Sequence, residues 1–187
     1  MSPPRDASRL TSGRKVRLLA DAKRRADPNF ADFALADSPF YLLVRTAGQY
    51  ELAMANALRG IGMDLPSWRA LMIVHEHSPT SVSEIAAESV TRLSTMTRVV
   101  QRLEKQGLVK LAQSDSDARV TQVSITPAGE RAALRVREVA SQLFATAFGS
   151  ASAAEIAALN QTLRRLHGTL AELPKPDPEA KMRTKQI

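Results

Sequence analysis

The sequence predicts a mainly α fold in which two short helices lead into a two-stranded wing, with long helices before and after that unit. Three observations carry this expectation. "STMTRVVQRLEKQGLV" sets Met96, Val99, Val100 and Leu103 at the i, i+3, i+4, i+7 spacing of a helix buried on one side, then meets Gly107, a left-handed stop. "VKLAQ" (109–113) and "TQVSIT" (121–126) alternate as half-buried strands do. Long apolar stripes at helical spacing follow Ser38, Thr126 and Ser152.

Residues 1–36 form a basic N-terminal arm, within which "RKVRLLADAKRRA" (14–26) spaces Val16, Leu19 and Ala22 for a short amphipathic turn or two. A solvated tail, docking along DNA and contact with a partner subunit all remain open for it. Ordered structure is expected from "DSPFYLLVRTAGQYELAMANALRG": Ser38 caps, Pro39 suits the first turn, and Leu43, Ala47, Tyr50, Met54 and Ala57 or Leu58 share a face. Gly60 and Gly62 end that helix. "LPSWRALMIVHEH" gives a second, with Trp68, Leu71, Met72 and His75 near one face, and "SPT" stops it. Ser81 and Glu84 stand in capping-box relation at a short third.

The fourth helix runs from about Ser94 to Gln106 and leaves Thr95, Thr97, Arg98, Gln101 and Arg102 on its outer side. Between the strands, Ser114 to Val120 has no Gly and is too long for a tight turn, so it should protrude as a wing. Thr126 caps a fifth helix carrying Leu134, Val136, Val139, Leu143 and Phe144. Ser152 and Glu155 open a sixth with Ile156, Leu159, Leu163, Leu166 and Leu170. These stripes exceed what one body needs, which predicts pairing with a second copy. The expected organisation is an arm (1–36), a domain (37–173) and a flexible C-terminal tail (174–187). Within the domain, a winged helix-turn-helix spans about 64–126, and dimerisation helices span about 38–60 and 127–173.

The formal charge of +7 lies in the ends: residues 1–27 hold 8 Lys/Arg against 3 Asp/Glu, and residues 174–187 hold 4 against 2. The body is balanced, so local charge carries the argument. From Thr91 to Arg119 six basic residues (Arg92, Arg98, Arg102, Lys105, Lys110, Arg119) face three acidic ones. With no cysteine, disulfides, thiolate-bound zinc and thiol redox sensing are excluded within this chain. No secretory signal and no membrane-span-length apolar run is present, and a cytoplasmic location follows as the default.

Two short helices and a wing make a winged helix-turn-helix, whose second helix enters the major groove of double-stranded DNA while the wing reaches a flanking minor groove. Ser94, Thr95, Thr97, Arg98, Gln101 and Arg102 are the candidate contacts on the helix. Arginine forks onto guanine or phosphate, glutamine pairs with adenine, and threonine lets the backbone approach. In the wing, Asp117 stands two residues before Arg119 and can aim its guanidinium.

On "LPSWRALMIVHEHSPTSVSEIA", "STMTRVVQRLEKQGLV" and "DSDARVTQVSITPAGE", residues 38–173 resemble the multiple antibiotic resistance regulators, the MarR family. The third motif is the most specific: Asp117, Arg119, Thr126, Pro127 and Gly129 match the family pattern. Leu111 departs from it, since family members often carry a basic residue there. The resemblance implies a homodimer joined through its first, fifth and sixth helices. It also implies a pseudo-palindromic operator, usually repressed, and release by a small aromatic carboxylate or an aryl-CoA thioester entering a pocket between the dimer helices and the DNA-binding lobe.

For such a ligand the candidates are Tyr41, Arg45, Tyr50, Trp68 and Met72, with Arg45 as partner of an acid; core and dimer-seam roles for the aromatics stay open. No enzyme is expected, and no cofactor or metal: three histidines without a Gly-rich phosphate loop offer little, and His75 and His77 point about 200° apart on one helix. Two other readings remain, a DNA binder without an effector and a winged-helix module for protein assembly. The polar outer face of the fourth helix argues against the latter.

Overall fold

The computed structural model describes residues 19–114, 117 and 119–174, which fall into two compact units divided between Leu143 and Phe144. Regular structure starts earlier than the helix expected at Ser38. Residues 19–26 are helical, and the chain folds back through Arg24–Asp32 (3.3 Å) and Arg25–Asp37 (2.5 Å) ion pairs. Residues 14–18 of the expected amphipathic turn lie outside the described residues, as does the tail from 175 onward.

Helix α1 spans Pro39–Arg59. Ser38 precedes it but its side chain makes no capping bond, a correction to the expected cap. Ser38 is buried, its N–H closing the preceding 3-10 turn onto Leu35 and its carbonyl accepting from Leu42. Of the expected inward face only Met54 and Leu58 are fully covered, while Leu43 and Tyr50 stay exposed in the single chain.

Helix α2 (Leu65–His77) starts at Asp64, whose carboxylate accepts from the Ser67 N–H. Its buried face is Ser67, Ala70, Leu71 and Val74, rotated from the expected Trp68, Leu71, Met72, His75 stripe. The reason is that two clusters claim the helix. One, around Leu71, Val74, Ile85, Met96, Val100 and Leu103, fills the helix-turn-helix. The other, around Met54, Leu58 and Val136, takes the half-buried Trp68 and Met72.

Helix α3 (Val82–Glu88) carries both halves of the Ser81/Glu84 capping box. Helix α4 (Leu93–Lys105) buries Met96, Val99, Val100 and Leu103, and Gly107 takes φ +70° just after it. The sheet has three strands rather than the two expected: β1 (Thr80–Ser81) lies on the far side of β3 (Thr121–Ile125) from β2 (Val109–Gln113). All pairings are antiparallel, with Thr80 opposite Val123 and Leu111 opposite Val123 on the other flank. Leu111 packs against the main cluster, which accounts for an apolar residue at that place.

Helix α5 (Pro127–Phe148) is seated on the sheet by Thr126, whose Oγ1 accepts from the Gly129 N–H (3.0 Å) and donates to the Gly107 carbonyl (2.7 Å). A Cβ on Gly129 would stand 2.0 Å from the Leu108 carbonyl oxygen, so only glycine fits. Close seating selects a small inward face of Ala132, Ala133 and Val136, and the expected Leu134 is exposed instead. In the second unit, Phe144 and Phe148 stack at 5.0 Å. Helix α6 (Ala153–Ala171) opens with the Ser152/Glu155 capping box and leaves Leu159, Leu163 and Leu170 uncovered.

Candidate nucleic-acid interface and the neighbouring cleft

The apolar spacing of α4 turns Ser94, Thr95, Arg98, Gln101 and Arg102 to solvent, with Thr97 half-covered. Thr97 Oγ1 donates to the Leu93 carbonyl (2.9 Å), which ties the first turn. Arg98 places an exposed cation midway along this face. Arg102 is held: its Nη2 meets Asp64 Oδ2 at 2.7 Å and Ser67 Oγ at 2.8 Å. Asp64 therefore both starts α2 and moors the C-terminal part of α4. Its signal is present in the sequence, an N-cap residue directly ahead of Leu65 and Pro66, but the sequence reading of this helix does not name it.

In the wing, Arg119 Nε and Nη2 each lie 3.1 Å from a different oxygen of Asp117, and the Arg119 N–H also donates to Asp117 Oδ1 at 3.0 Å. These donors hold the Asp117 carboxyl below the usual carboxylate range, the Arg119 side-chain bond being the larger cause. Arg119 shares a groove with Leu93, Thr97 and Gln101 of α4. Helix and wing thus present one surface of hydroxyl, amide and guanidinium groups.

A separate open cleft of about 670 Å³ is lined by Trp68, Arg69, Met72, Ile73 and Glu76 of α2, Glu51 of α1, and Glu88, Ser89 and Val90. Tyr50 meets Trp68 edge to face at 6.2 Å. Partial desolvation beside Trp68 raises the Tyr50 pKa, and Arg69 partly offsets this. Arg69 and Glu51 pair at 2.7 Å. Of the candidate ligand residues, the structure brings together Tyr50, Trp68 and Met72. Tyr41 and Arg45 pair with one another instead, at 3.3 Å between Nη1 and Oη, and Arg45 lines a separate groove along α1. Arg69 and Glu51 are not among the sequence candidates, although Arg69 directly follows Trp68 and Glu51 directly follows Tyr50.

His75 Nδ1 lies 2.8 Å from Glu130 Oε2 without the alignment of a hydrogen bond, and His77 lies 3.8 Å from Glu88. Among the described residues no group of three or more His, Asp or Glu is arranged for a metal ion. No described helix is long and apolar enough to cross a membrane.

The MarR family pattern matches residues 63–121. Over 147 residues the chain is 39% identical to the HTH-type transcriptional repressor IacR of Pseudomonas putida, covering 79% of this chain and 88% of that protein. The chain belongs to the MarR family. Among solved MarR-like folds, CouR from Rhodococcus jostii RHA1, bound to p-coumaroyl-CoA, superposes with a TM-score of 0.66 at 22% identity, over 71% of this chain and 94% of that one. BpsR of Bordetella bronchiseptica, whose DNA binding is regulated by 6-hydroxynicotinic acid, gives 0.61 at 20% identity, over 68% and 96%. Both show the shared fold. As a MarR-family member this chain is a DNA-binding transcriptional repressor, and its relatives are regulators rather than enzymes.

Proposed function

We propose that the protein acts in the cytoplasm as a homodimer on a pseudo-palindromic operator, and that a small aromatic acid or its coenzyme A thioester releases it by entering the Trp68 cleft. The observation that carries this reading is the Trp68 ring, braced edge to face by Tyr50, with Arg69 beside it in the cleft wall. A ring fits against Trp68 and the apolar Met72 and Ile73, and the polar groups fix its direction. Glu51, Glu76 and Glu88 confine an acidic head to the Arg69 end, where it takes the place of Glu51. The neighbours' ligands, an aryl-CoA and an aromatic acid, support the chemical class.

On the DNA, Ser94, Thr95, Thr97, Arg98 and Gln101 face the major groove, Arg119 aimed by Asp117 enters the minor groove, and Arg102 sets the helix while reaching the backbone. Exposed apolar residues on α1 and α6 supply the contact between copies. Thermal-shift titration with aromatic acids, their thioesters and matched aromatic amines tests the effector: ligands of the acid class should raise Tm in proportion to ln concentration. They should fail to do so with Trp68→Ala or Arg69→Gln. Stabilisation by the amines alone would reverse the assigned charge, and no stabilisation by any of them would leave a repressor without a small-molecule effector.

A further inference from the structure

Helix α4 has one apolar side chain that its packing does not use. Met96, Val99, Val100 and Leu103 are buried, whereas Leu93 is 54% exposed at the first position of the helix. A lone exposed leucine is ordinary on a protein surface, but this one sits where the helix meets DNA. Nor does the helix start require it. Arg92 at the N-cap makes no side-chain bond, and a serine or aspartate nearby would serve the free N–H groups better than a leucine does.

Its surroundings narrow the role. Leu93, Thr97 and Gln101 form an i, i+4, i+8 row on the flank of α4 that shares a groove with Arg119. Because the Thr97 hydroxyl donates back to the Leu93 carbonyl, the first turn of this row offers carbon rather than a hydrogen-bond donor. The first residues of a recognition helix meet base edges in the major groove. There a single apolar feature is displayed, the C5-methyl group of thymine.

We infer that Leu93 is a specificity-determining residue that packs on a thymine methyl group, selecting a T at one position in each half-site. This rests on the recognition-helix placement proposed above and adds to it a base preference that the polar residues of α4 do not supply. Selection from a random duplex library gives the preferred site, in which each thymine is then replaced singly, and in symmetric pairs, by uracil, removing the methyl and leaving every hydrogen-bonding group.

Wild-type protein should lose about four-fold per half-site at one symmetric position, the share of one buried methyl group. Leu93→Ala should bind the thymine and uracil duplexes equally there, and Leu93→Met should restore the difference. Circular dichroism and Tm confirm that the variants are folded. Equal uracil sensitivity in wild type and Leu93→Ala at every position would overturn the inference, as would a wild type indifferent to uracil throughout. A library yielding no preferred duplex would remove base reading altogether and this contact with it, a result distinct from losing the methyl dependence alone.

Discussion

Arg119 and Asp117 form a two-point grip, each guanidinium nitrogen 3.1 Å from its own carboxylate oxygen, while the arginine side chain remains 91% exposed. An exposed ion pair of this kind adds little to stability. In the proposed complex its geometry matters because it would hold a long, flexible cation in one direction before DNA arrives, so that less rotamer freedom is lost on binding.

Arg119→Ala should therefore weaken operator binding by about 1–3 kcal/mol and relax preference at flanking A·T-rich positions. Asp117→Ala should partly reproduce this despite removing a negative charge, whereas tighter binding by it would show that no aiming occurs. With the Asp117 carboxyl held below the usual range, the grip persists through that range and is lost only as pH falls through the lowered value. The difference between wild type and Asp117→Ala should thus be flat from about pH 8 to pH 5 and shrink only in stronger acid.

Asp64→Ala removes the α2 cap and frees Arg102 in one step. We expect a stability loss of about 1 kcal/mol from the cap, read by urea denaturation. Asp64→Ser, which keeps a capping oxygen but not the charge, should recover the stability and leave the DNA affinity reduced. Full recovery of both would confine Asp64 to capping.

Val90 has φ +52° and is 84% exposed, in the turn between α3 and α4. Its N–H bonds the Ala87 carbonyl and that of Thr91 bonds Ala86, the pattern of a helix end that ordinarily carries glycine. Val90→Gly should stabilise the protein by about 1 kcal/mol, since a β-branched residue is strained there. A lower Tm would show that the side chain holds the turn through interactions that outweigh the strain.

The basic arm is read through salt. Residues 1–18 carry five basic side chains and one acidic one, whereas Arg24 and Arg25 are already paired within the fold. Deleting 1–18 should flatten the dependence of log K on log salt by about 0.9 for each phosphate that the arm neutralises, without altering sequence preference. An unchanged slope would take the arm off the DNA.

What the sequence makes legible follows from how local each cause is. Gly107, the Ser81/Glu84 and Ser152/Glu155 boxes and the buried stripe of α4 are set by residues within a turn or two of one another, and the structure has them where the sequence predicts. The two-residue β1 is too short to show a period, and its partner β3 lies some forty residues on. The inward faces of α2 and α5 depend on neighbours distant in sequence: Arg102 and the core of α4 for the first, the Leu108 backbone for the second. The cleft is half visible. Its aromatic residues stand out by type, but Arg69 reaches it through a partner eighteen positions away, a distance that periodicity cannot register.

Gly129 leaves no room for even a methyl group between the first turn of α5 and the Leu108 carbonyl, while Thr126 bonds the strand entrance on one side and that helix turn on the other. In kinematic terms this joint has no slack: the start of the hairpin and the start of α5 form one rigid link. A tilt imposed on the first turn of α5 should therefore carry the start of β2 with it rather than be absorbed at the joint.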